Sequence, residues 1–330
     1  PVHEVPGVLA HLGGEALPVR KRRRIDPLDQ VPFPGYEDFD FTRYPGDELI
    51  VEWSRGCIGS CTFCKGKMID GKYRCHSAGA IQAGMRHYVD HFGIRKFTVC
   101  DPVINGDVEM MARLCERIAA DGPQMEWRGE AIPHPGLTSE LLVAMREAGC
   151  TELQLGIESA SDAVLELMNK RRLFAAEEAI EVVRGCHEAG IKTALFIIIG
   201  FPGEGEDEFM QTYRFIDDNA EYIDEIKSIN ALHIITDTPV HMQPQKYGLC
   251  LPDVDYHYRW STEDGNTLEV RNERIRRLMA LAHEHDIFVR ETNLAEGKQR
   301  DMEQVMAAGE RPTRELLEDL QRQINDLRST

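Results

Sequence analysis

The chain has no apolar run approaching the roughly twenty residues that a membrane-spanning helix requires. No charged stretch followed by an apolar core opens it, so no secretory signal is read and a cytoplasmic protein is expected. Positive charge is scarce: 38 Lys and Arg stand against 56 Asp and Glu, a net charge of −18. A surface of that sign repels phosphate backbones and anionic headgroups as a whole, which argues against nucleic-acid and membrane partners. Cysteine is absent before residue 57, and nine follow. Outside a secretory context they fit a reducing compartment. Six of them (Cys75, Cys100, Cys115, Cys150, Cys186, Cys250) sit singly and read as core filler. With 330 residues, 42% of them hydrophobic, the chain can bury a barrel-sized core plus appendages.

The other three cysteines fall in one stretch, Ser54-Arg55-Gly56-Cys57-Ile58-Gly59-Ser60-Cys61-Thr62-Phe63-Cys64. It follows an apolar run, Leu49-Ile50-Val51-Glu52-Trp53, that reads as a buried strand. A short polar loop holding three thiolates suits an iron–sulfur cluster, which cysteine sulfur binds and loop backbone can wrap. Three protein ligands to a cube of four irons leave one iron open to a small molecule, as a catalytic zinc keeps an open position. A zinc knuckle needs a fourth Cys or His, and Cys75 and His76 follow closely enough to keep that reading open. Disulfides are disfavoured, since three clustered cysteines leave one over.

Residues 1–46 read as a lead-in. They hold Gly13-Gly14, a basic run at 20–24 and the turn-forming Asp26-Pro27 and Pro32-Phe33-Pro34-Gly35. Between residues 47 and 240, strands read at 49–53, 96–100, 125–128, 152–155, 193–199 and 225–234, mostly as apolar runs covered on both faces. Amphipathic helices lie between them. Two end alike, in Glu147-Ala148-Gly149 and Glu188-Ala189-Gly190, where glycine supplies a left-handed cap. Strand–helix alternation with short joins implies parallel strands and an α/β fold. Six such units make a partial (β/α)6 TIM-like barrel, or else a doubly wound sheet. The barrel is favoured because the cysteine loop follows the first strand, where barrel enzymes keep their chemistry. Residues 241–330 form a C-terminal, mainly helical extension. Within it the aromatic patch 256–260 either lines a substrate entrance or packs on the barrel. A helix over 265–285 is expected to close the open side, and another is expected around 314–320.

Strand ends pick out the candidates. After the second strand comes Asp101, with Asp107 read as a helix N-cap. After the third come Arg128 and Glu130, one of which is expected to face inward. After the fourth come Gly156-Ile157-Glu158-Ser159, then a helix cap at Ser161-Asp162 and Met168-Asn169-Lys170-Arg171. A buried Glu beside a Ser can bond ribose hydroxyls or an ammonium. After the fifth comes Gly200-Phe201-Pro202-Gly203-Glu204, and after the sixth Thr236-Asp237-Thr238-Pro239.

In order and spacing, 54–64, 156–159 with 168–170, 200–204 and Thr238-Pro239 resemble cobalamin-type radical S-adenosylmethionine (SAM) proteins, over roughly residues 25–250. The resemblance implies a [4Fe–4S] cluster held by Cys57, Cys61 and Cys64, with the open iron chelating the amino and carboxylate groups of SAM. It further implies that the Phe63 backbone touches adenine and that Glu158, Ser159, Ile198 and Gly200 line the cofactor. Two departures stand out. The family's Gly-Gly-Glu after the second strand is replaced by Cys100-Asp101-Pro102, leaving Asp101 as substitute by position. No Asp-x-His-x-x-Gly occurs, so cobalamin is implied only through a missing or separate domain. The implied activity is reductive cleavage of SAM to a 5′-deoxyadenosyl radical that takes hydrogen from a small-molecule or peptide substrate. An electron donor such as flavodoxin or ferredoxin goes with it. The alternatives are the radical domain of a cobalamin-dependent methyltransferase or ring-forming enzyme, and a non-catalytic metal-binding scaffold. Methylthiolation of tRNA or protein is disfavoured, because residues 1–56 hold no cysteine for a second cluster.

Overall fold

The computed structural model describes residues 23–43, 47–69, 71–253 and 256–293, with a few positions before residue 17. The helix expected around 314–320 lies outside them, as does most of the basic run at 20–24. Seven parallel strands lie side by side in chain order: β1 (Glu48–Val51), β2 (Lys96–Val99), β3 (Glu126–Ala131), β4 (Cys150–Glu158), β5 (Lys192–Ile199), β6 (Glu225–Ala231) and β7 (Phe288–Asn293). Each pairs with the next in parallel register. Helices connect them: α1 (Ala78–Phe92), α2 (Val108–Asp121), α3 (Ser139–Glu147), α4 (Asp162–Leu167), α5 (Ala176–Ala189), α6 (Glu206–Asp218) and α7 (Leu268–Glu284). The sheet curls into a half-barrel. Among the described residues no helix is long and apolar enough to cross a membrane.

Local chemistry sets the boundaries. Side chains of Ser77, Asp107, Thr138 and Thr267 accept the first free amides of α1, α2, α3 and α7. Gly149 (φ +95°) follows α3, and Gly190 (φ +75°) ends α5 in the left-handed conformation. The core lies between the sheet and the helices. There Trp53 meets Trp127 edge-to-face at 5.1 Å, and Trp127 Nε1 donates to Ala148 O at 3.0 Å.

Two findings differ from the sequence reading. The strands expected to be covered on both faces alternate in β1 and β3: Leu49 and Val51 are buried, while Ile50 between them is 62% exposed on the inner face. The partial barrel also has seven strands where six were expected. Helix α7 does not close an open side; it packs against β6, β7 and α6 as another crossover, and β7 follows it. Strand β7 escaped notice because Phe288-Val289-Arg290-Glu291-Thr292-Asn293 is mostly polar, as an edge strand with an exposed face can be. The lead-in lies along α1: Leu28 is buried, Phe33 stacks on His76 at 4.7 Å, and Tyr88 Oη donates to Pro34 O at 2.8 Å.

A Cβ on Gly149 would stand 2.0 Å from the Met125 carbonyl oxygen, whereas one on Gly265, at a similar φ of +93°, would meet nothing within 4 Å. Gly149→Ala should therefore cost about 2–4 kcal/mol of stability and Gly265→Ala about 1 kcal/mol. Urea unfolding of the two variants measures this, and equal losses would rule out the close approach as the cause.

Candidate functional site

The cysteine loop has little secondary structure, so its shape comes from what it is tied to. At its start Ser54–Arg55 pairs with Arg74–Cys75 in a short antiparallel ribbon. The Asp101 carboxylate accepts from Trp53 N at 3.0 Å and from Ser54 Oγ at 2.6 Å. In mid-loop Thr62 N donates to Met168 O at 3.0 Å, and Asn169 Nδ2 donates to Ser60 O and Oγ, each at 2.9 Å. Asn169 takes a left-handed φ of +56°, which asparagine tolerates better than most residues. Val240 N donates to Thr62 O at 3.1 Å from the segment after β6, and Lys65 meets Asp237 at 3.3 Å.

All three thiols line one cavity of about 380 Å³ at the C-terminal end of the strands. A larger cavity, about 620 Å³, lies at the opposite end against Asp47, Lys96 and Glu126. In barrels of this kind the chemistry sits at the C-terminal face, which favours the smaller one. Gly59 N and Gly66 N donate to Cys57 Sγ and Cys64 Sγ, each at 3.2 Å. Burial pushes the Cys61 thiol up to about 11, while the nearby Lys170 ammonium acts against it. Binding as thiolate therefore releases a proton. Among the described residues no three His, Cys, Asp or Glu side chains converge to hold a single metal ion. His76, the closest candidate for a fourth zinc ligand, is turned away onto Phe33 and pairs with Asp29 at 3.3 Å. Thiols spread around a cavity, with amides aimed at sulfur, suit a multi-iron cluster better than one tetrahedral ion.

Of the residues expected at the cofactor, Phe63, Glu158 and Ile198 line this cavity with the cysteines. Asp101, Ser159 and Gly200 do not. Asp101 shares the outward parity of Phe97 and Val99 and is spent on the backbone behind the loop. Burial raises its pKa to about 7, with the bonds from Ser54 and Trp53 opposing. Ser159 continues the outward set of Leu153, Leu155 and Ile157; its Oγ accepts from Ser161 N at 3.1 Å and lies 3.4 Å from Thr212 Oγ1. The side-chain cap expected of Ser161 is absent, whereas that of Asp107 is present. Gly200 (φ +76°) is held from behind: its N–H donates to Glu204 Oε1 at 2.9 Å, and Asn266 Nδ2 donates to its carbonyl at 3.0 Å.

Several residues here were not assigned a cofactor role from the sequence, although Lys170 falls in the candidate stretch 168–171. Lys170, almost fully buried, reaches the cavity and pairs with Glu158 at 2.8 Å. Gln154, Ser228 and Asn230 line the same space. Behind the Gly200 turn, Arg274 pairs with Glu204 at 3.1 Å. Arg271 donates to Asn266 Oδ1 at 3.1 Å and to Tyr258 O and Trp260 O at 2.8 Å each, with its guanidinium 3.7 Å over the Trp260 ring. Trp260, from the aromatic patch, is thus buried packing, not an entrance. Strand parity would have sorted inward from outward residues. The two arginines at i, i+3 on α7 carried no such signal.

The Radical SAM superfamily model matches residues 51–216. The chain belongs to the radical SAM superfamily. Members of this family use a [4Fe–4S] cluster and S-adenosylmethionine, and the three thiols and their cavity fit that donor set. Among related sequences, an uncharacterised methyltransferase of Pyrococcus horikoshii is 28% identical over 221 residues, 64% of this chain and 47% of that protein. A tRNA-2-methylthio-N(6)-dimethylallyladenosine synthase of Bifidobacterium adolescentis is 31% identical over 218 residues, 58% of this chain and 44% of that one. The chain therefore spans less than half the length of these relatives. Among solved structures, the cobalamin-dependent SAM radical enzyme OxsB, with aqua-cobalamin and SAM bound, aligns with a TM-score of 0.62 at 19% identity over 79% of this chain and 45% of OxsB. The radical SAM methyltransferase TsrM from Kitasatospora setae, with cobalamin and a [4Fe–4S] cluster bound, gives 0.56 at 17% identity over 73% and 54%. These two share the radical SAM half-barrel fold.

Asp101 binds its proton more tightly folded than unfolded, where its pKa is near 3.8. Its contribution is fully present below pH 4 and is lost as pH rises towards 7. Asp101→Asn should flatten the stability profile across that window, and Asp101→Ala should also lower iron retention by untying the loop. Unfolding of both variants between pH 4 and 8, with iron analysis, checks this; an unchanged slope in the Asn variant would contradict it.

Proposed function

We propose that this radical SAM chain is an enzyme that cleaves SAM reductively and uses the resulting radical to take hydrogen from a substrate in the barrel. The observation that carries the reading is the shared cavity of Cys57, Cys61 and Cys64 with the Glu158–Lys170 pair. A [4Fe–4S] cluster held there would supply the one electron that reductive cleavage of the SAM C–S bond to methionine and a 5′-deoxyadenosyl radical requires. The protein's part is to bind, orient and exclude water. Cys57, Cys61 and Cys64 would hold the cluster, and the Gly59 and Gly66 amides would offset thiolate charge. The Lys170 ammonium matches the SAM carboxylate, and Glu158 matches its ammonium or ribose hydroxyls. Phe63 and Ile198 offer apolar surface to adenine, and the Arg271–Asn266 clamp keeps the turn after β5 in place. A flavodoxin- or ferredoxin-like electron donor goes with this reading.

A second reading has its own support, the likeness to OxsB and TsrM together with the methyltransferase relative. In it the chain is the radical domain of a cobalamin-dependent enzyme whose corrinoid is held by another domain.

Anaerobically reconstituted protein should carry about four irons, and Cys61→Ala should lose the brown chromophore. Iron still near four per chain in that variant would refute the cluster assignment. By calorimetry, Lys170→Met and Glu158→Ala should each weaken SAM binding by about tenfold or more with iron retained; unchanged affinity removes the residue from the site. With dithionite the protein should form 5′-deoxyadenosine slowly. After incubation with hydroxocobalamin and desalting, both readings expect no corrinoid spectrum from this chain alone, and a stoichiometric one would contradict both.

A further inference from the structure

Alternation along the strands sends one set of side chains to the helices and the other into the space the half-barrel encloses. Away from the cysteines the inward set is charged, and most of it is paired. Arg128 meets Glu48 at 2.8 Å and donates from Nε to Thr98 Oγ1 at 2.9 Å. Arg290 makes a two-pronged pair with Glu225 at 2.5 and 2.6 Å, and Gln154 donates to Glu152 at 2.7 Å. Beyond the N-terminal ends of the strands, where Glu126 and Lys192 are exposed and also unpaired among the described residues, two charges on this wall have no ion pair or side-chain hydrogen bond there: Glu130 on β3 and Lys227 on β6. Glu130 lines the cavity of the cysteines with Ser228 and Asn230, whose side chains also lack a hydrogen-bond partner among the described residues.

Alternation from Glu225 turns Lys227 inward, and an irregularity at that residue brings Ser228 to the same side. Ile226 pairs with Leu195 and Ser228 with Phe196, so β6 carries one residue more than β5 at this point. A bulge of this kind re-aims a side chain, and bulges gather beside active sites. Ile226 stays fully buried against the helices while Ser228 faces the cavity. Burial and then the Glu158 carboxylate push the Glu130 pKa up, and Lys227 pulls it back. A substrate that covers these charges and takes water from them must supply opposite charges in its place. The apolar inward residues, Phe196 and Ile198 near the cysteines and Ile50 and Phe288 on the edge strands, do not screen these two charges from a ligand. A hydrocarbon substrate would strand both.

We infer that the lumen beneath the cysteine loop binds a small zwitterionic substrate, with its cationic group at Glu130, its anionic group at Lys227, and Ser228 and Asn230 bonding between them. This deepens the reading above and rests on it, since that reading gives the wall at the cysteines, Glu158 and Lys170 to SAM. Reconstituted full-length protein, loaded with SAM and without reductant, can be titrated by ligand-detected NMR with ω-amino acids of three, four and six carbons. The matching amino alcohols, hydroxy acids and diols serve as comparisons. At least one amino acid should bind about tenfold tighter than its diol, the scale of one well-made charge pair, with the singly charged compounds between. Glu130→Gln should abolish the advantage of the amine and Glu130→Asp retain it; Lys227→Met should abolish the advantage of the carboxylate and Lys227→Arg retain it. Equal binding across a series, tightest binding by a diol, or no binding by any amino acid overturns the inference, and the wild-type series decides even if a variant does not fold. Iron content and SAM affinity of the same sample test the radical reading separately, so either can fail without the other.

Discussion

The two hydrogen bonds from Trp53 N and Ser54 Oγ to the buried Asp101 carboxylate decide where β1 stops and the cysteine loop begins. The loop that follows is too short for a helix or hairpin of its own and must leave its thiols exposed to a ligand. Such a segment holds shape only when its backbone groups are answered from outside. Asp101 answers at the start, and Asn169, Met168 and Val240 answer Ser60 and Thr62. The partners come from the segments that follow β2, β4 and β6, so the loop's geometry depends on those strands staying in register. Register in turn depends on the outward face, where one slip would turn Leu49 and Val51 into the lumen.

A second constraint runs through the turn after β5. Gly200 adopts a φ that disfavours other residues, and the Arg271 stem occupies the place of its missing Cβ, with Cγ only 2.3 Å from it. Two arginines and a glutamate buried together are expensive unless each finds partners. Here the guanidiniums meet carbonyls, a carboxylate and an indole face. Arg271 is held lower than usual, at about 10, and Glu204 is raised to about 7, both by burial. Helix α7 thus does more than cover the sheet: it carries the charges that fix the loop beside Ile198.

Much of this was legible in the sequence because the outward face is a packing problem with a simple period. Short apolar runs separated by capped helices marked the first six strands, and the cysteine spacing marked the loop whose three thiols line one cavity. What was not legible was direction. The strand-end rule located Asp101 and Ser159 but could not say that both continue the outward set. Counting by twos from Phe97 turns Asp101 away from the lumen, but on β4 a register shift between Gly156 and Glu158, with Glu158 at φ +66°, breaks any simple count before Ser159. Lys170 obeys no period, since it reaches Glu158 through a helix and a left-handed Asn169. Strand β7 failed for a different reason: its polar side chains match an exposed edge, and a polar edge strand reads like a loop.

The net charge of −18 also means less than it first suggested. Charge summed over a surface governs how large partners approach, and at physiological salt it is screened within about 8 Å. Inside the half-barrel, Arg128, Lys170, Lys227 and Arg290 face Glu48, Glu130, Glu152, Glu158 and Glu225, and most meet as specific neighbours. A small molecule bearing one charge of each sign carries no net charge to repel, and once inside it interacts with individual side chains. Net charge therefore says little about what the lumen holds, because its wall presents individual charges of both signs.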